Sequence, residues 1–180
     1  MEHNDHVALL RPGIPGPGGI WADFGSGRGA FTLALADLVG PTGHIYSIDK
    51  DRQALRAQQQ ALSASFPGVP VHTLVADFSQ PLDLPALDGI VMANALHFAR
   101  RKEPVLSLLH RYLRPGGRLI LVEYNVDRGN IWVPYPISYL RWEVLAAAAG
   151  FTGTRLLASR PSRFLHEIYS ALSLRPLEPA

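Results

Sequence analysis

The stretch from Ile20 to Ala30, Ile-Trp-Ala-Asp-Phe-Gly-Ser-Gly-Arg-Gly-Ala, constrains the fold more than any other part of the chain. A short apolar run suited to a buried strand passes through Asp23 and then through three alternating glycines, Gly25, Gly27 and Gly29. Beyond them Phe31, Leu35, Leu38 and Val39 fall at i, i+4, i+7 and i+8, one face of a helix. The glycines therefore sit on a strand-to-helix turn, where the missing Cβ permits a tight bend and lets a ligand approach the backbone. The helix N-terminus is expected to offer unpaired N–H groups to an acceptor oxygen. A nucleotide-like ligand is expected to lie here.

The remaining elements follow in alternation. His44 to Ile48 reads as a second strand ending at Asp49, and a helix runs from Asp51 to about Ser65. Val69 to Val75 is a β-branched third strand followed by Ala76-Asp77-Phe78, and Ser79 to Pro85 is too short and proline-rich for a crossover helix. Leu87 to Asn94 reads as the fourth strand, Lys102 to Arg114 as a helix with Val105, Leu108, Leu109, Tyr112 and Leu113 on one stripe, and Arg118 to Tyr124 as a fifth strand. Asn125 to Ile137 is a loop. A helix capped by Ser138 runs through Ala149 with Leu140, Val144 and Ala148 inward, and Thr152 to Ala158 is a sixth strand. The pattern from Phe164 to Leu174 fits helix or strand. Residues 1–19 hold one apolar run, Val7 to Leu10, and a tail of three prolines and four glycines that precludes regular structure. They read as a flexible arm, either folded over the ligand or frayed, before a single domain over 20–180.

Composition narrows the chemistry. At 180 residues one core is expected and a second substrate domain is not. Hydrophobic residues make up 47%, yet no run approaches the ~18 apolar residues of a membrane span, and the first residues do not resemble a signal peptide, so a cytoplasmic protein is expected. The absence of cysteine removes thiol nucleophiles, thiolate metal sites and disulfides. A net charge of +2 is too mild to argue for nucleic acid, the one basic cluster being Arg100-Arg101-Lys102.

Gly25-x-Gly27-x-x-Ala30 also satisfies the dinucleotide fingerprint, so the glycines alone do not choose a cofactor. Asp23 tilts the choice. A carboxylate at the strand's end repels the pyrophosphate of NAD and suits a ligand carrying an ammonium and a sulfonium, as S-adenosylmethionine does. Asp23-x-Gly25-x-Gly27-x-Gly29, and later Leu-Arg-Pro-Gly-Gly before an apolar strand, resemble the class I S-adenosylmethionine-dependent methyltransferases, especially the ubiquinone and menaquinone C-methyltransferase group.

That resemblance implies a Rossmann-like, doubly wound, mostly parallel α/β sheet of seven strands whose last strand, about Leu165 to Leu174, inserts antiparallel. It implies transfer of a methyl group from S-adenosylmethionine to a small-molecule acceptor. Gly25, Ser26, Gly27 and Gly29 would host the methionine portion, with Asp23 at its ammonium and Asn94 lining the pocket near the methyl. Asp49 with Lys50 would meet the ribose, unless Asp49 only caps the next helix. Ala76, Asp77 and Phe78 would meet the adenine, unless Asp77 is only a loop acid. No metal is expected. Trp132 and Tyr135 would form apolar walls of the acceptor pocket. His97 is either a general base for a hydroxyl acceptor or a surface or capping histidine. Rival readings are an NAD(P)-dependent oxidoreductase, a non-catalytic S-adenosylmethionine-binding protein, and an RNA methyltransferase using Arg100, Arg101 and Lys102.

Overall fold

Trp21 explains much of the sheet's architecture, because its ring lies across the neighbouring strand at Gly89, the one position there where no Cβ stands in its way. The structure, a computed structural model, describes residues 1–177; the last three residues of the expected 20–180 domain lie outside the described residues. Seven strands form one sheet in the order β3-β2-β1-β4-β5-β7-β6. They are β1 (Gly19–Phe24), β2 (Gly43–Asp49), β3 (Val71–Val75), β4 (Leu87–Ala93), β5 (Leu113–Tyr124), β6 (Thr152–Ser162) and β7 (His166–Leu174). The strands from β3 to β5 are parallel, and β7 runs antiparallel between β5 and β6. The strand-versus-helix ambiguity at the chain's end is thus resolved as strand.

Both faces of the sheet are covered, which is why its central strands read as nearly continuous apolar runs. Successive residues point to opposite faces. Ile90, Met92, Leu119 and Leu121 join one buried cluster with helices α4 (Glu103–Tyr112) and α5 (Tyr139–Ala148). Val91, Ala93, Ile120 and Val122 join the other, with α1 (His3–Leu10), α2 (Ala30–Val39) and Leu62 of α3 (Arg52–Ser65). No helix lies between β3 and β4, as expected. Among the described residues no helix is long and apolar enough to cross a membrane.

Three expectations need correction. The first 19 residues do not form a loose arm: His3–Leu10 is a helix that buries Val7, Leu9 and Leu10 against α2, and Arg11–Gly13 adds a 3₁₀ turn. Helix α5 is rotated relative to the expected face, since Leu140 and Val144 are 73% and 72% exposed and Ala148 is exposed too, while Trp142 and Ala146 are buried. Apolar residues lie on nearly all sides of this helix, and the largest ring takes the core. Strand β5 begins at Leu113 rather than Arg118. Leu113 pairs with Leu87, and the register then jumps to Gly89 with Arg118, so the Pro-Gly-Gly segment bulges within the strand instead of preceding it.

Candidate functional site

In an open parallel sheet the crevice lies outside the carboxyl ends of the strands where their order reverses, here between β1 and β4. The glycine turn follows β1. Gly25, Gly27 and Gly29 all take positive φ, 78°, 53° and 89°, a region that side chains with a Cβ avoid. A Cβ on Gly25 would stand 2.5 Å from the Cβ of Ala95 and 3.4 Å from the Phe78 ring, closing the crevice.

The turn's amides are largely occupied within the protein. Gly25 N and Ser26 N donate to Ile48 O, Gly27 N donates to Asp49 Oδ2 at 2.7 Å, and Gly29 N donates to Ser26 O. The expected unpaired donors lie one step further on: among the described residues the first amides of α2, those of Ala30, Phe31 and Thr32, have no acceptor. The glycine turn itself offers a thin backbone surface beside acids.

Asp23, at the end of β1, is almost fully enclosed. Its Oδ2 accepts from the Thr32 hydroxyl at 2.6 Å, and its Oδ1 is buried with no partner among the described residues. Burial pushes its carboxyl up to about 7 against the Thr32 hydrogen bond, with the charge of Asp49 adding to the rise. Behind it runs a buried polar chain that sequence reasoning missed. Ser47 Oγ lies 2.7 Å from Ser26 Oγ and 2.9 Å from Gln58 Oε1, and Gln58 Nε2 donates to Thr32 Oγ1. One set of proton positions runs from Ser26 through Ser47, Gln58 and Thr32 to the carboxylate. Thr32→Val would strand both Asp23 Oδ2 and the Gln58 amide, and a loss of ~1–3 kcal/mol in urea unfolding is expected.

Asn94 follows β4 in a left-handed conformation, φ 50°. Its main-chain N–H donates to Val122 O, and its buried Oδ1 has no partner among the described residues. Two clefts meet at Gly25 and Asn94. One, about 250 Å³, has Asp23, Ser26 and Asn94 in its lining together with His6 and Arg28, neither of them anticipated. Burial lowers the His6 imidazole, whose ring packs 4.7 Å from that of Phe31. The other, about 380 Å³, gathers Asp49, Lys50, Ala76, Asp77, Phe78 and Asn94. Asp49 does not cap α3: Asp51 does, accepting from Gln53 N and Ala54 N, while Asp49 fastens the glycine turn and accepts from Asp51 N. The exposed Asp77 accepts from Ser79 N at 2.8 Å, and that hydrogen bond, the Ser79 side chain and the Lys50 charge hold its carboxyl low against a small opposing effect of burial.

His97 is neither a surface nor a capping residue. It is 3% exposed, with Nδ1 2.8 Å from Oε2 of the fully buried Glu123 on β5, a partner missed in the sequence. Burial and then the charge of Glu123 raise the phenols of Tyr124 and Tyr169. Trp132 and Tyr135 stand outside both clefts, Trp132 being 68% exposed. Their loop reaches the site through its main chain, Tyr135 N donating to His97 O.

The arrangement suits a ligand with a cationic end at two unpaired buried oxygens and a flat polar end between Asp49 and Phe78. A family model described as a methyltransferase domain matches residues 22–119. The ubiquinone/menaquinone biosynthesis C-methyltransferase UbiE of Burkholderia mallei (strain SAVP1) is 30% identical over 125 residues, 68% of this chain and 49% of that protein. The chain spans about half the length of the curated relatives it matches. Among solved structures, an S-adenosylmethionine-dependent methyltransferase from Aquifex aeolicus superposes with a TM-score of 0.74 at 20% identity, covering 95% of this chain and 89% of that one. Phosphoethanolamine N-methyltransferase 2 of Haemonchus contortus, solved with phosphomonomethylethanolamine and S-adenosylhomocysteine, gives 0.77 at 15% identity over 96% and 52%. At such identities the likeness shows the fold alone. The family match runs from the strand that carries Asp23 into β5, more than half of the described residues, and the chain therefore belongs to the methyltransferase domain family.

Proposed function

We propose that this chain transfers a methyl group from S-adenosylmethionine to a small aromatic or lipophilic acceptor in the cytoplasm. The observation that carries the reading is the pair of buried, unpartnered oxygens, Asp23 Oδ1 and Asn94 Oδ1, beside one glycine-lined cleft. A buried acceptor without a donor is costly, and an ammonium would relieve both. When bound, S-adenosylmethionine supplies a methyl group made electrophilic by its sulfonium.

The residues present fit such a ligand along its length. Asp23 and Asn94 would hold the ammonium, Arg28 the carboxylate, and Ser26, Gly27 and Gly29 would flank the methionine chain. Gly25 would let it cross between the clefts. Asp49 and Lys50 would meet the ribose, and Ala76, Asp77 and Phe78 the adenine. The curated relatives' names specify carbon methylation in quinone biosynthesis, which favours an acceptor of phenolic or quinol chemistry. RNA is disfavoured because the basic cluster is split: Arg100 and Arg101 are exposed, while Lys102 turns inward and donates to the carbonyls of Ala99 and Tyr135.

Calorimetric titration tests the cofactor. S-adenosylhomocysteine should bind saturably and NAD should not, and the reverse outcome would sink the proposal. Asp49→Ala should weaken S-adenosylhomocysteine by roughly ten- to a hundredfold, since one hydrogen bond to a charged group is worth ~1.5–3 kcal/mol. An unchanged affinity would reduce Asp49 to its role of fastening the turn.

A further inference from the structure

We propose that Glu123 is a positioning residue: it fixes the His97 ring with Nδ1–H toward its carboxylate and leaves a bare Nε2 open to the methyl acceptor, from which Nε2 takes a proton. The proposal rests on the methyl-transfer reading of the same crevice, and it assigns the acceptor a class, a hydroxyl or carbon acid that must lose a proton.

Glu123 grips His97 twice. Its Oε2 lies 2.8 Å from ring Nδ1, and its Oε1 accepts from the main-chain N–H of His97 at 3.1 Å. The main-chain oxygen of His97 is held in turn by Tyr135 N, so both sides of the 3₁₀ turn Leu96–Phe98 are pinned just after Asn94. A carboxylate only accepts, so the ring nitrogen facing it carries the proton and the neutral ring keeps its lone pair at Nε2. Among the described residues Nε2 has no hydrogen-bond partner, yet it is not one of the enclosed unpartnered atoms, unlike Asp23 Oδ1 and Asn94 Oδ1. The small accessible part of this residue therefore includes Nε2; His97 itself lines neither cleft, and an acceptor would reach it past its near chain neighbours Ala95 and Phe98, which line the larger one.

Among the described residues no other cation pairs with the carboxylate. Lys102, which feels its charge, spends its ammonium on the carbonyls of Ala99 and Tyr135, and the flanking Tyr169 hydroxyl donates to Ile137 O. A buried carboxylate without a cation is costly, and that cost falls when the ring gains a second proton. In the step itself the acceptor's O–H or C–H bond breaks and its proton goes to Nε2. The freed electron pair forms the bond to the methyl carbon, whose bond to sulfur breaks with the pair left on sulfur. The sulfonium charge ends on the imidazolium, opposite Glu123.

Histidine ¹⁵N spectra of the ligand-free protein at pH 8 read the ring directly. Wild type should show Nδ1 protonated and Nε2 bare, and Glu123→Gln should mix the two tautomers, because an amide both accepts and donates. A wild-type Nε2–H, or a ring unchanged in a folded Glu123→Gln protein, overturns the proposal. In a second arm 1,4-naphthoquinol serves as probe acceptor. Glu123→Gln should lower kcat at least about tenfold with the naphthoquinol KM and S-adenosylhomocysteine affinity within twofold, a base contributing ~10²-fold or more. An unchanged kcat overturns the base role. Failure of wild type to methylate any probe counts against the methyl-transfer reading, while the tautomer still decides the role of Glu123.

Discussion

In the absence of ligand, Asp23→Asn should raise resistance to urea at pH 8 and leave it unimproved at pH 5. The cause is the raised carboxyl of Asp23, at about 7 in the folded chain against an ordinary 3.8. Between those values the folded state keeps a proton that the unfolded state has lost, so wild-type stability falls as pH rises through the window and levels off above about 7. At ~1.4 kcal/mol per unit the loss is on the order of 4 kcal/mol. Asparagine cannot ionise, so its protein lacks this slope, although its amide leaves a buried donor unpaired and tempers the gain.

Binding should move the opposite way. On the proposed pairing with the cofactor's ammonium, the wild-type carboxyl has to release its proton, so S-adenosylhomocysteine affinity should weaken up to tenfold per unit below about pH 7. In Asp23→Asn it should be weaker by roughly ten- to a hundredfold at pH 8 and nearly flat with pH. Urea melts and calorimetry at both pH values check the pair of outcomes. A variant no more stable than wild type at pH 8 and equally able to bind would remove Asp23 from the site.

The frame of the candidate site was legible where geometry is written in local sequence. A strand, an acid and glycines at fixed spacing specify the turn, and Asp49 follows from the second strand's end. Thr32, Gln58 and Glu123 were not legible, because each looks like an ordinary position of its own element. Gln58 sits among the polar residues Gln59 and Gln60 on α3, and only tertiary folding brings it to Thr32, 26 residues away. Glu123 follows the apolar run of β5, one residue before its end, and meets His97 across the same separation. The first helix escaped for a related reason: eight residues are too few to declare themselves, and α1 is held by what it buries against α2. The chemistry of Trp132 suits a pocket wall, but nothing in a loop's sequence fixes which way its side chain points.

Helix α5 gives the other large expected effect. Reading Leu140, Val144 and Ala148 as the inward face makes their truncation costly and that of Trp142 mild. The structure reverses the order. Trp142 is fully buried in the cluster that also holds Leu109, Phe151 and Tyr169. Trp142→Ala should cost ~3–5 kcal/mol, the range for removing a large core ring that its surroundings cannot refill. Leu140→Ala and Val144→Ala should stay within ~0.5 kcal/mol of wild type. The indole N–H has no partner among the described residues, so the ring is retained for its volume rather than for a hydrogen bond. Trp142→Phe should cost clearly less than the alanine change, because it opens a smaller cavity and relief of the unpaired donor offsets part of that loss by ~1–3 kcal/mol. Urea midpoints at constant slope measure all four variants. A phenylalanine variant as weak as the alanine one would mean that the indole N–H is bonded after all. A costly Leu140→Ala would restore the face expected from the sequence.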